Sequence, residues 1–230
     1  MTLKYKIRRT VTATLSLILL ALAISFNTPV VVDNTAVLGA KREGVLATNA
    51  LGELDVKGRA PKTDYSRDQF GGDWAIANGC DTRNIILNRD LTNVVTNDKC
   101  QIESGALIDP YTGKTIDFKR GAATSGDIQI DHVVALSDAW QKGAQQLSPD
   151  DRKALANDPL ELLAADGPAN QQKSDGDAAT WLPPNKAFRC RYVARQIAVK
   201  QKYKLWVTTA EKDAMASVLS QCPLEILPNP

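Results

Sequence analysis

Histidine is almost absent from this chain: among 230 residues only His132 carries an imidazole. That scarcity, with four cysteines (Cys80, Cys100, Cys190 and Cys222) that form no Cys-x-x-Cys pair, argues against a structural zinc site. It also places any imidazole chemistry at position 132. The only long apolar run, Val11 to Phe26, is shorter than the roughly 20 residues that a spanning helix needs. Internal repeats are missing too, which argues against a solenoid or other array.

What is present begins with a leader. Lys4, Lys6, Arg8 and Arg9 precede the apolar run, the layout of an export signal, so residues 1–40 read as a signal peptide or, if uncleaved, an N-terminal anchor. No small-x-small site stands directly behind the run, and both outcomes stay open. The protein is expected to be secreted, or else anchored to the membrane and facing outside. In an exported chain four cysteines usually form disulfides. Three pairings exist; Cys80–Cys100 with Cys190–Cys222 is preferred because each closes a short loop within one region.

Apolar residues make up 43% and charged residues 23% of the chain, the proportions of an ordinary folded domain. The net charge is +2, of which the leader supplies +3 (four basic residues against Asp33), leaving −1 for the rest. A polyanionic partner would therefore need a local basic patch. Residues 41–60 read as linker and 61–230 as one domain. Ile102 to Phe118 resembles a hairpin turning at Asp109-Pro110-Tyr111-Thr112-Gly113. Ile128-Gln129-Ile130-Asp131 alternates as a half-buried strand does, and Leu136 to Gln146 has helical spacing. Ser148-Pro149-Asp150-Asp151 is a helix start, with a serine cap, an early proline and first-turn acids. That helix stops near Asn157-Asp158-Pro159. Leu160 to Ala165 is a second strand, and Gly167-Pro168 turns into a segment beginning Ala169-Asn170-Gln171-Gln172-Lys173. Helices are expected over Phe188 to Tyr203 and after the capping box Thr208 to Glu211. Trp74, Trp140 and Trp206 read as core.

Asp131 and His132 carry the chemistry. A carboxylate suits a hard divalent cation, and an imidazole titrating near neutrality can take a proton from water. Adjacent side chains on a strand point to opposite faces, so the pair shares a site only if the strand ends there. Alone, the two residues are equally consistent with a surface loop.

The order Asp131-His132-Val133-Val134, then Leu160-Glu161-Leu162-Leu163-Ala164, then Asn170-Gln171-Gln172-Lys173, resembles the HNH, or His-Me finger, endonucleases. It is most similar to exported members of Gram-positive and actinobacterial type, over about Tyr65 to Val207. Cys80-Asp81-Thr82-Arg83, Tyr111-Thr112-Gly113, Asp158-Pro159-Leu160 and Trp181-Leu182-Pro183 add to the likeness. The resemblance implies an α+β fold with a ββα-metal core, elaborated by further helices and a short hairpin. It implies His132 as general base, Asp131 and Asn170 as ligands of one Mg²⁺ or Mn²⁺, and hydrolysis of DNA, or RNA, to a 5′ phosphate with little sequence preference. Asn170 stands where many relatives have the last histidine. Glu161 is a departure, because the family usually has there the asparagine that orients the loop of the base, and an ionised glutamate can only accept hydrogen bonds. Asn157 or Glu161 would have to fill that role, and a noncatalytic exported binding protein on the same scaffold is the alternative.

Nucleic acid is the expected partner. Ala178 to Ala210 contains no acid but includes Lys186, Arg189, Arg191, Arg195, Lys200, Lys202 and Lys204. This is a candidate backbone contact, or else a solvated helix face. Lys173 is a candidate phosphate contact. Arg83 and Arg89 could clamp phosphate or pair with Asp81 and Asp90. Oligomeric state is not indicated.

Overall fold

The computed structural model describes residues 44–228, and the expected leader lies outside them. Helix α1 (Ala47–Glu53) opens the described chain and buries Ala47, Ala50 and Leu51 in the main core. This corrects the expectation of a linker through residue 60. Leu54 is buried as well, Leu46 bridges Ile226, and Val56 bridges Val207. The segment looked like a linker because its few apolar residues find their partners only at the far end of the chain.

A minimal hairpin of β1 (Ile76–Ala77) and β2 (Cys80–Asp81) turns over Asn78-Gly79, both at positive φ, where this dipeptide is favoured. Helix α2 (Thr82–Asp90) follows, capped by the Asp81 carboxylate, which accepts the Asn84 N–H at 2.7 Å. Three antiparallel strands come next: β3 (Thr92–Thr96), β4 (Ile102–Ile108) and β5 (Thr115–Lys119). The β4–β5 hairpin matches the sequence expectation, and β3 adds a third strand. Cys80 bonds Cys100 and Cys190 bonds Cys222, the preferred pairing. Ile86, Leu87, Ile102, Leu107 and Phe118 form a second, smaller core with Ile128 and Leu162.

Strands β6 (Ile128–His132) and β7 (Leu162–Asp166) pair antiparallel, from Ile128 opposite Asp166 to His132 opposite Leu162. Between them lie α3 (Leu136–Gln141) and α4 (Pro149–Asn157). The α3 helix, expected to run to Gln146, stops because Gly143 takes φ 124° and packs so closely on Trp206 that a Cβ would sit 3.2 Å from its ring. Ser148 caps α4 as expected, accepting the Asp151 N–H. Helix α5 (Gly167–Lys173) begins directly after β7. Gly167-Pro168, expected as a turn, form its first turn, because Asp166 caps Ala169 and proline suits that position. Strand, insertion, strand, helix is thus the realised order, in an α+β fold of small sheets and several helices.

Helices α6 (Arg189–Lys202) and α7 (Thr209–Leu219) close the main core. Behind it lies a buried ion network. Lys142 Nζ contacts Asp138 at 2.7 Å, Asp177 at 2.8 Å and Glu211 at 2.6 Å, while Lys200 Nζ lies 3.0 Å from Glu211. Arg59 pairs with Asp138 at 2.9 Å and Asp177 at 2.7 Å. Three cations meet three anions, and the network joins α3, α6, α7, the segment between α1 and β1, and the chain that follows α5.

Candidate active site

At the end of β6 the chain turns, and Asp131 and His132 both line one cleft of about 360 Å³ with Asn170 of α5. His132 Nε2 lies 3.0 Å from the Ala156 carbonyl near the end of α4. A carbonyl can only accept, so Nε2 is assigned the proton and Nδ1 keeps its lone pair. The ring stacks on Trp74, with centroids 5.8 Å apart and planes 8° from parallel. Burial pushes the imidazole pKa down to about 3; the Ala156 contact opposes this, and the charges of Arg67 and Lys173 add to it. The ring is therefore neutral throughout the neutral range with its Nδ1 lone pair available, and it titrates well below the near-neutral value expected from the sequence.

Asp131 is buried, and its oxygens accept from the Tyr111 hydroxyl and from Lys173 Nζ at 2.8 Å. Burial raises the carboxyl pKa, against the charge and hydrogen bond of Lys173 and the bond from Tyr111. Tyr111 is held by aromatic neighbours, edge-on to Trp181 at 5.0 Å and to Tyr192 at 5.7 Å. Asn170 donates its amide N–H to Gln129 Oε1 at 2.8 Å, which leaves its oxygen as the uncommitted end.

Among the described residues no three His, Cys, Asp or Glu side chains gather into a metal-binding group. Asp131 and Asn170, which line the same cleft, nevertheless offer the carboxylate and amide oxygens that a hard divalent ion takes as donors. A carboxylate has about four lone-pair sites, of which Tyr111 and Lys173 take two. Mg²⁺ typically takes one or two carboxylates and completes its shell with water and substrate phosphate.

The loop after His132 is pinned on three sides. Lys173 Nζ donates to His132 O at 2.7 Å, and Gln196 Nε2 donates to Val133 O at 2.8 Å. Glu161 accepts the Val134 N–H through Oε2 at 3.2 Å and the Val133 N–H through its carbonyl at 2.9 Å. Asn157 does not reach this loop; its Oδ1 accepts the Ala75 N–H at 2.8 Å and so anchors the residue beside Trp74. Of the two candidates for orienting the loop, Glu161 contacts it directly, and Asn157 steadies the ring stacked on His132.

Several basic residues differ from expectation. Lys173 is buried against Asp131, because its stem reaches back under β6 instead of outward. Arg83 donates to the Ser125 and Ile128 carbonyls, and Arg195 to those of Leu160, Pro159 and Leu162. Arg89 forms the ion pair with Asp90 that was one of its two expected roles, and also joins Arg195 on Pro159 and Leu162. Arg189 donates to Pro183 O. Lys200 lies in the ion network, and Lys202 pairs with Asp158 at 2.6 Å. The expected cationic face is therefore reduced mainly to exposed Lys186, Arg191 and Lys204, none of which lines the cleft. Arg191 instead lies over Phe188 and lines a separate groove with Arg195.

The basic groups that do line the cleft are Lys62 and Arg67, which the sequence reading missed. Arg67 is exposed and, among the described residues, has no ion pair. With His132 and Leu136 it also lines an adjoining notch of about 160 Å³ that includes Phe70 and Trp74. Neither residue stands in a distinctive motif; only the approach of the 62–74 segment to His132 reveals them.

The model of the family described as GmrSD restriction endonucleases, C-terminal domain, matches residues 81–218. An uncharacterized secreted protein of Arthroderma benhamiae is 38% identical over 178 residues, covering 76% of this chain and 84% of that protein. The chain belongs to this nuclease-related family. The matched span contains Asp131, His132, Glu161 and Asn170, whereas Lys62, Arg67 and Trp74 precede it.

Proposed function

We propose that this protein is a secreted endonuclease of the HNH type that hydrolyses phosphodiester bonds in DNA, or in RNA, with little sequence preference. The observation that carries the reading is the meeting of His132, Asp131 and Asn170 in one cleft, with Nε2 of the imidazole committed to Ala156 and Nδ1 free. The β6–β7–α5 unit would then be a ββα-metal core. Export is supported by the leader pattern, by two disulfides and by the secreted relative. Among the described residues no helix is long and apolar enough to cross a membrane.

In this reading Nδ1 of His132 takes the proton of the attacking water, while burial keeps the ring neutral beforehand and Ala156 and Trp74 hold it in place. Lys173 and Tyr111 hold Asp131 in place. Arg67, which has no ion pair among the described residues, meets the phosphates of the bound strand, joined by Lys62, which also pairs with Asp175 at 3.3 Å. Asp131 and Asn170 would hold Mg²⁺ or Mn²⁺, which supplies charge stabilisation for the transition state and the leaving 3′ oxygen.

The test is plasmid nicking by the purified protein with Mg²⁺ or Mn²⁺. Cleavage that stops with chelator and is lost in His132→Ala supports the reading. Failure to cut DNA or RNA with any divalent ion would leave the noncatalytic binding protein as the better account. Undiminished cutting by His132→Ala would remove His132 as the base.

A further inference from the structure

Glu161 occupies the position where the family resemblance leads one to expect an asparagine, and its surroundings suit an ionised carboxylate badly. It is 0% exposed and, among the described residues, forms no ion pair. Oε2 accepts the Val134 N–H, but Oε1 has no hydrogen-bond partner. Gln196 of α6, whose Nε2 donates to the Val133 carbonyl of the same turn, has a buried Oε1 with no partner either. The Gln196 amide cannot be turned round to mend this, because its Nε2 already donates to the Val133 carbonyl, which can only accept.

The charged groups around Glu161 are otherwise engaged. Lys173 serves Asp131 and His132 O, Lys200 serves Glu211, and Arg195 serves three carbonyls. Asp131 repels a second negative charge, and Tyr192 contributes only a neutral hydroxyl. Burial without a counter-ion favours the protonated carboxyl.

We propose that Glu161 is a neutral carboxylic acid at neutral pH, equivalent to the expected carboxamide: one oxygen accepts from Val134 and the protonated Oε1 donates, with Gln196 Oε1 as its acceptor. The proton turns an acceptor-only group into a donor and acceptor, and so removes two orphaned oxygens at once. Glu161 is then a positioning residue that latches the turn behind His132. This consequence for catalysis rests on His132 being the base; the protonation itself does not.

The experiment compares wild type with Glu161→Gln in urea unfolding from pH 4.5 to 9, with chelator present. An acid whose folded pKa is raised stabilises fully below its unfolded pKa, and that stability is lost as pH rises to the folded value. Relative to the glutamine variant, the wild-type folding equilibrium constant should therefore fall about tenfold per pH unit above the ordinary carboxyl range, levelling once the folded pKa is passed. A pH-independent difference, or a glutamine variant that weakens relative to wild type as pH rises, overturns the proposal.

Should the variant not fold, the carboxyl carbon of ¹³C-labelled Glu161 in the wild type decides: a protonated resonance at pH 7 supports the proposal and an ionised one overturns it. For the latch, Glu161→Ala should lower kcat for nicking more than Glu161→Gln does, with KM little changed; equal effects would refute positioning. Absence of all nicking would count against the nuclease reading alone, because the unfolding and carbon measurements do not depend on activity.

Discussion

Two sets of charges are buried in this molecule, and they are built on different rules. The network of Arg59, Lys142, Lys200, Asp138, Asp177 and Glu211 is balanced, three cations against three anions, and ties helices together. Around β6, by contrast, one lysine serves Asp131 while Glu161 lacks a cation and His132 is held neutral. Balanced buried charge fixes a frame, whereas unmatched titratable groups beside a cleft store reactivity. The two are coupled through the chain: Asp138 lies six residues beyond His132, and Asp177 lies four beyond Lys173.

The sharpest way to break that contrast is to remove one group from each set. His132→Ala is expected to slow plasmid nicking by about 100- to 10,000-fold, the usual worth of a general base. Its urea midpoint should move much less than that of a network variant. Lys142→Met leaves three carboxylates facing a missing ammonium and should cost about 3–5 kcal/mol in urea unfolding. If Lys142→Met is as stable as wild type, the network is not the frame.

Acid sharpens the same comparison. Burial pushes the Asp177 carboxyl up, but the hydrogen bond and charge of Lys142, with the charge of Arg59, outweigh it and hold the group below its ordinary 3.8. A folded pKa below the unfolded one gives stability that is present above 3.8 and lost as pH falls through the folded value. Stability should therefore drop below pH 4, and Asp177→Asn, though less stable near neutrality, should drop less steeply.

Smaller effects separate the cleft from the remaining basic face. Arg67→Ala should raise KM for DNA and reduce the slope of log affinity against log salt by about one, while stability moves by no more than about 0.5 kcal/mol. Lys186→Ala and Arg191→Ala should leave nicking and its salt dependence at wild-type levels. Equal losses in all three variants would mean that the substrate path crosses α6 as well.

The local parts of this arrangement were legible in the sequence. Alternation up to Asp131, the Ser148 cap and the spacing to Asn170 depend on near neighbours, and the strand–strand–helix order follows from them. Lys173 was not legible, because a lysine at the end of a short helix looks solvent-facing until the strand it reaches is in place. Arg195 and Arg83 were misread for a related reason. Their guanidinium groups satisfy backbone carbonyls from distant turns, contacts that charge counting does not detect. Arg67 and Lys62 lay in a segment whose importance comes only from where it docks.

The ends of the domain are stitched together: Ala47 N–H donates to Glu225 O at 2.9 Å and Leu227 N–H to Val45 O at 2.9 Å. A chain still being synthesised, or still threading outward, has one side of this seam and lacks the other. This closure must wait for Glu225 and Leu227. The two margins of the domain therefore join in one late event, which no earlier stretch of the chain can complete alone.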